Sequence, residues 1–182
     1  DFHELINSGV LCSTSSLIMK EGMDRWDVIG DTTEGALLTL AMNMDINYED
    51  RRAEWKTIKM THFDATLKRM DIKVKKGKEH HHYFKGSPES ILSICKMEEN
   101  ERTEIEKEFE VYARKGLRML AFADGIRFLG FVGIADPVRP EVKHSVESAR
   151  HAGIRVVMLT GDSPLTAQAI AMETGLIRKG ED

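Results

Sequence analysis

Residues Ile154-Arg155-Val156-Val157-Met158-Leu159 form an apolar run that stops at Thr160-Gly161-Asp162, a hydroxyl, a glycine and a carboxylate. A short apolar run ended by turn residues predicts a strand, and in open parallel sheets ligands bind beyond the carboxyl ends of the strands. Ser163 is placed to cap a following helix, and Pro164 suits its first turn. Leu165, Ala169 and Met172 then recur at helical spacing until Gly175. The pattern predicts one strand, loop and helix of a parallel α/β fold, with Thr160, Gly161 and Asp162 as a phosphate site. A plain N-cap is the competing explanation of Asp162.

Upstream, Asp136-Pro137-Val138-Arg139-Pro140 sets two prolines around a dipeptide. Fixed φ and missing N–H donors interrupt pairing there, so a domain boundary is expected, dividing residues 1–135 from 136–182. The first part has α+β character. A short helix is expected over residues 2–12, then a turn-rich Ser13-Thr14-Ser15-Ser16 segment. Asp31 and Glu34 stand three apart as a capping box before Ala36, Leu37, Leu40 and Ala41, which predicts a helix. Strand-like text runs from Trp55 to Val74 and from His80 to Phe84 around Gly77, implying an antiparallel hairpin. A helix from Pro88 to Cys95, a charged helix over 101–115, and strands over 117–123 and 128–133 complete this part. After the prolines a helix with Val142, Val146 and Ala149 leads to Gly153 and the apolar run.

Charge and length narrow the classes of function. Lys and Arg number 26 against 30 Asp and Glu, a net charge of -4 without a basic block, which argues against a nucleic-acid partner. The longest apolar stretches fall short of the roughly 20 residues needed to cross a bilayer. Cys12 and Cys95 lack metal-type spacing and suit free thiols in a reducing compartment. The chain begins Asp1-Phe2-His3 without a basic leader, and a piece of a longer protein is expected.

Several constellations have both a ligand explanation and a structural one. Lys85-Gly86-Ser87-Pro88-Glu89 puts an ammonium and a close-approach glycine at a strand end, suited to a purine nucleotide, but Ser-Pro-Glu is also an ordinary helix start. Asp31 and Glu34 suffice as a cap, while Glu34 can also accept from an adenine amino group. Phe63, followed five positions later by Lys68, is either a stacking platform for a base or a core phenylalanine. Arg118 points to a phosphate or pairs with a surface acid. In His80-His81-His82 successive residues alternate faces, so only His80 and His82 converge, without a third ligand, and no metal is assigned.

Taken in order, Gly30-Asp31-Thr32-Thr33-Glu34-Gly35-Ala36-Leu37, Phe63 with Lys68, Lys85-Gly86-Ser87-Pro88-Glu89, Gly116-Leu117-Arg118, Asp136-Pro137-Val138-Arg139 and Met158-Leu159-Thr160-Gly161-Asp162 resemble the cytoplasmic region of type II cation-transporting P-type ATPases. The resemblance runs through nearly the whole chain. It implies an α+β nucleotide-binding domain, an antiparallel sheet flanked by helices, over residues 1–135. A hinge and a partial Rossmann-like segment of haloacid-dehalogenase type would follow over 136–182.

In that family the matching positions imply an adenosine pocket from Asp31, Glu34, Phe63, Lys68, Lys85 and Gly86, and Arg118 reaching ribose or phosphates. Asp136 and Arg139 match the hinge. Thr160, Gly161 and Asp162 match the loop that receives the γ-phosphate and organises Mg2+. The implied ligand is ATP, with Mg2+ in the full-length enzyme. The implied partners are the phosphorylation, actuator and transmembrane domains of a parent chain, placing this region on the cytoplasmic side of an integral membrane protein. Calcium is the first ion suggested by the Asp-Pro-Val-Arg-Pro-Glu and Thr-Gly-Asp-Ser-Pro-Leu-Thr-Ala text, with magnesium or monovalent ions as the alternatives.

Departures from the commoner family pattern are Ser87 for Ala, Val138 for Pro, His62 for the Pro before the aromatic, and Ala65 where calcium pumps often carry a basic residue. No Asp-Lys-Thr-Gly-Thr or Gly-Asp-Gly-x-Asn-Asp segment occurs in the chain, so the fragment alone is expected to be inactive. Lacking partners, the Ile154 to Leu159 strand is expected to swap, to pair with another copy or to be poorly ordered. The rival classes are a haloacid-dehalogenase-type phosphatase and a stand-alone nucleotide-binding regulatory module.

Overall fold

A computed structural model describes residues 2–20 and 26–177. The chain divides into two compact units, residues 1–102 with 120–132, and residues 103–119 with 133–182.

The first unit is built on an antiparallel sheet. Its strands are β3 (Lys56–Asp64), β4 (Arg69–Lys76), β5 (Glu79–Gly86), β6 (Arg118–Asp124) and β7 (Arg127–Ile134), in that spatial order. Alternation on β4 sets the faces. Met70, Ile72 and Val74 are buried, while Asp71, Lys73 and Lys75 lie on the other side. Their partners on β5 are Lys85, Tyr83 and His81, so Lys85 shares the inward face with Met70. Two hairpins replace the single expected one. Gly77 turns β4 into β5, and residues 65–68 turn β3 into β4, where Asp64 Oδ1 accepts from the Thr66 and Leu67 amides at 2.7 and 2.8 Å.

Three helices of this unit precede the sheet in sequence: α1 (Phe2–Leu11), α2 (Thr32–Met42) and α3 (Tyr48–Glu54). Leu11 and Cys12 join Trp55, Met70, Ile72, Val74 and Tyr83 in one core cluster, and Leu5 and Leu37 pack with Phe122 in another. Each fully buried side chain of this size contributes about 1.5–3 kcal/mol by removal from water. A short hairpin of β1 (Ser16–Met19) and β2 (Trp26–Ile29) lies between α1 and α2 in sequence. Gly35 is needed there, because a Cβ on it would stand 2.4 Å from Val28 Cγ2. Helix α3 was not expected. Five of its seven residues are charged and it lacks an apolar stripe, and it is started by Asn47, whose side chain accepts from the Glu49 and Asp50 amides. Helix α4 (Pro88–Leu92) follows β5, capped by Ser87.

The second unit contains most of α5 (Glu99–Ala113), then α6 (Pro140–His151) and α7 (Pro164–Glu173). Pro164 starts α7 as expected, and Pro140, read in the sequence only as part of the domain connection, starts α6. The strand expected over Ile154 to Leu159 is absent. These residues have no regular structure, and Ile154, Val157 and Leu159 are 60%, 64% and 93% exposed. A strand is defined by ladder partners, and among the described residues no parallel strand stands beside this one. The α+β part is therefore formed as expected, whereas a parallel α/β part is not.

Candidate functional site

The first candidate group lies where α2 meets the end of β5. Asp31 caps α2, its Oδ1 accepting from the Glu34 amide at 2.9 Å. The reciprocal half of the expected capping box is not made, because the Glu34 side chain turns elsewhere. Its Oε2 accepts from the amides of Thr14 and Ser15, at 2.7 and 3.1 Å, and from both their hydroxyls at 3.1 Å. Its Oε1 accepts from Lys85 Nζ at 2.7 Å, a pair in which both side chains are largely buried. Burial by itself would raise the Glu34 carboxyl, but the Lys85 ammonium and the donors from residues 14 and 15 outweigh it and hold the group at about 2.

Sequence reasoning missed the support beneath this pair. Thr14 and Ser15 are in a segment characterised only as turn-rich. The guanidinium of Arg52 on α3 fixes that segment by donating to the carbonyls of Val10, Ser13 and Ser15 at 3.3, 2.6 and 2.9 Å. The run of hydroxyl residues after a helix was the available signal. Arg52 had none.

The other first-unit residues gather at one end of the sheet. Asp64 pairs with Arg69 and Arg69 with Gly86, so the end of β3, the 65–68 turn and the end of β5 are adjacent. Phe63 is 62% exposed and is not a core residue. Lys68 is exposed and holds a positive φ of 51°. Gly86 is required by its own chain: a Cβ there would stand 2.5 Å from the Lys68 carbonyl oxygen and 2.6 Å from Arg69 Cβ. Ser87 donates its amide to that same carbonyl at 3.0 Å. The neighbourhood thus offers an exposed aromatic, an exposed cation and a buried cation held by a carboxylate.

The second unit holds its own group. Arg118, Asp136, Arg139 and Asp162 line a cleft of about 380 Å³ together with Gly116 and Thr166. Arg118 Nε donates to Asp162 Oδ1 at 2.9 Å, and Thr160 Oγ1 donates to Asp162 Oδ2 at 2.9 Å. Burial would raise the Asp162 carboxyl, yet these two hydrogen bonds keep it below its ordinary value. Asp162 is not the cap of α7, which is Ser163. Around Gly161 the space is open, with nothing within 4 Å of an added Cβ.

Of the three consecutive histidines, His81 and His82 take different partners. His82 Nε2 pairs with Asp71 at 2.8 Å, and His81 Nδ1 pairs with Asp124 at 2.7 Å. Glu4, His81 and Asp124 form a group with metal-ligand atoms, all within 4.8 Å of one another. The Arg127 guanidinium already pairs with Glu4 and lies 3.8 Å from Asp124, so a cation occupies that role. No helix among the described residues is long and apolar enough to cross a membrane.

Comparison with known families gives a match over residues 1–141 to the P-type ATPase cytoplasmic domain N. A cation-transporting ATPase, pma1, of a Synechocystis species is 34% identical over 98% of this chain and 22% of its own length. A plasma membrane-type calcium-transporting ATPase of Arabidopsis thaliana is 30% identical over 96% of this chain and 20% of its own. A sodium/potassium exporting P-type ATPase, cta3, of Schizosaccharomyces pombe is 34% identical over 97% of this chain and 19% of its own. The chain spans about a fifth of the length of these relatives.

Proposed function

Since the chain belongs to the P-type ATPase cytoplasmic domain N family, we propose that it binds ATP and delivers it to an aspartate elsewhere in a parent cation pump. The observation that carries the proposal is the buried Lys85 ammonium held by Glu34, beside the sheet end that bears exposed Phe63 and Lys68. Stacking on Phe63 supplies sequence-tolerant affinity for a base. Lys85 has three donors and gives one to Glu34, leaving two for a ligand. Asp31 orients the adenine edge, Glu34 acts there through the Lys85 ammonium it holds, Lys68 and Lys85 meet negative charge, and Gly86 lets the end of β5 approach the 65–68 turn.

In the second unit Arg118 takes the ribose-phosphate end, and Asp136 and Arg139 belong to the hinge. Thr160, Gly161 and Asp162 form the receiving loop. Thr160 and Asp162 offer hard oxygen donors of the kind Mg2+ takes, and bound there the ion would offset charge on the transferred phosphoryl. The reaction of the parent is transfer of the γ-phosphoryl of ATP to a carboxylate, with ADP leaving and water later releasing phosphate. The chain contains no Asp-Lys-Thr-Gly-Thr segment, so the nucleophile is assigned to the remainder of the parent and this chain binds without hydrolysing. Calcium is the proposed cargo, supported by relatives named as calcium-transporting.

The test is an NMR titration with ATP in the absence of magnesium, comparing the wild type with Phe63→Ala and Lys85→Ala. The expected dissociation constant is on the order of 0.1–1 mM, or roughly 4–5.5 kcal/mol, and both variants should lose saturable binding. A low-micromolar constant, or binding indifferent to both changes, would overturn the assignment.

A further inference from the structure

The outer face of β3 to β5 carries two rows of basic residues that the nucleotide site does not use. Asp71, Lys73 and Lys75 of β4 lie on the face opposite the core. Lys73 is paired with Lys59 on one side and His82 on the other, and Lys75 with Lys56 and His80. Directly opposed residues of an antiparallel pair share a face with Cβ atoms about 4.5–5.5 Å apart, where like charges destabilise. The four lysines make no ion pair among the described residues, and the acids nearby are already engaged. Asp71 accepts from His82 at 2.8 Å and Glu54 from Lys76 at 2.8 Å.

Edge lysines deter aggregation, which accounts for Lys56 and Lys59 on the terminal strand. It does not account for Lys73 and Lys75, whose strand is paired on both sides. Nor is general basicity the reason, because the chain carries a net charge of -4. A stability cost retained in the middle of a sheet, against the overall sign of the protein, marks a surface kept for an anionic partner.

We propose that this face docks an extended acidic segment of a partner protein, with Asp or Glu at alternate positions. The two basic rows are set by residues two apart on β4, so they are separated by about 6.7 Å, twice the rise of a strand residue. Carboxylates at alternate positions of an extended chain repeat at that same distance and project to one side, so consecutive acids meet consecutive rows. The segment lies over the face rather than adding to the free edge, since β3 has register shifts after Thr57 and after Thr61 that interrupt a regular edge.

The experiment titrates the chain with two synthetic peptides of identical composition, one with Glu at alternate positions and one with the same Glu residues in a block. Amide shifts are followed by NMR at two salt concentrations. The alternating peptide is expected to bind at least fivefold tighter, shifting Lys73, Lys75, His80 and His82, and to weaken with salt. Lys73→Glu with Lys75→Glu should reduce affinity at least tenfold. Lys73→Gln with Lys75→Gln, which removes repulsion and keeps the fold, should reduce it severalfold. ATP titration in these variants should be unchanged, which separates this surface from the nucleotide proposal. Equal binding of the two peptides, or unchanged binding by the Gln variant, would overturn the inference. So would binding to phosphatidylserine vesicles without binding to either peptide.

Discussion

Replacement of Lys85 by Met keeps the apolar stem and removes the ammonium, and its effect on stability should depend on pH in a direction fixed by Glu34. The ammonium lies 2.7 Å from Glu34 Oε1, and both side chains are about a tenth exposed. Depression of the Glu34 carboxyl from 4.5 to about 2 corresponds to roughly 3 kcal/mol of preference for the charged form in the folded state. Thr14 and Ser15 supply part of this, so loss of Lys85 should remove about 2 kcal/mol at pH 7. The sign follows from linkage. A carboxyl depressed on folding stabilises fully above its unfolded value near 4.5, and the contribution is lost as pH falls toward 2. In the variant Glu34 titrates nearer its ordinary range, so the gap between wild type and variant should shrink from about 2 to about 1.3 kcal/mol at pH 3 and close only as pH falls toward 2. Urea unfolding at pH 7, 5, 4 and 3 checks this, with the buried Trp55 as a reporter of the first unit. An equal gap at pH 7 and pH 3 would refute the reasoning, and a gap under about 0.5 kcal/mol at pH 7 would do the same.

Four further outcomes are expected. Gly86→Ala should destabilise by more than about 2 kcal/mol in thermal unfolding, because its Cβ would meet the Lys68 carbonyl at 2.5 Å. Gly161→Ala, with open space around it, should change stability by under about 0.5 kcal/mol. Burial pushes the Cys12 thiol up to about 12, so at pH 8 it should react with a disulfide reagent only as fast as the protein opens. The Asp162 carboxyl, followed by NMR, should titrate below its ordinary value of 3.8, and Arg118→Ala should move it upward.

The parts of the fold that were legible in the sequence are those whose signal is local. Asp31 at the head of an apolar stripe specified α2, and alternation from Met70 to Val74 with Gly77 beyond it specified β4 and β5. Helix α3 escaped because Tyr48–Glu54 has charges on every side and only Asn47 to announce it. The four-residue strands β1 and β2 are too short to show a period. Ile154 to Leu159 failed in the opposite sense. Its composition favours a strand, but β propensity expresses packing against neighbours, and no neighbouring strand is present among the described residues. At the site, the residue types were legible and their partners were not. Glu34 is joined to Thr14 and Ser15 across 20 and 19 residues and to Lys85 across 51, separations over which no periodicity carries information.

Those partners change what kind of recognition the site can perform. Lys85 and Glu34 together carry no net charge, and Arg118 with Asp162 form a second such pair in the other unit. Under the proposed nucleotide role, a ligand approaching either cation would meet a dipole already oriented by a carboxylate, so long-range attraction would be small and selectivity would rest on contact geometry. Holding Lys85 in one rotamer lowers the entropy a ligand must remove, while Glu34 competes for the same ammonium. The two effects oppose each other, which suits millimolar affinity and rapid release better than tight capture. The salt dependence separates the two contributions. If recognition is through the paired lysine, raising salt from 50 to 500 mM should weaken ATP binding by less than about threefold, whereas an unpaired lysine cluster would lose far more. A steep loss would mean that exposed Lys68, rather than the Lys85 pair, carries the phosphate contact.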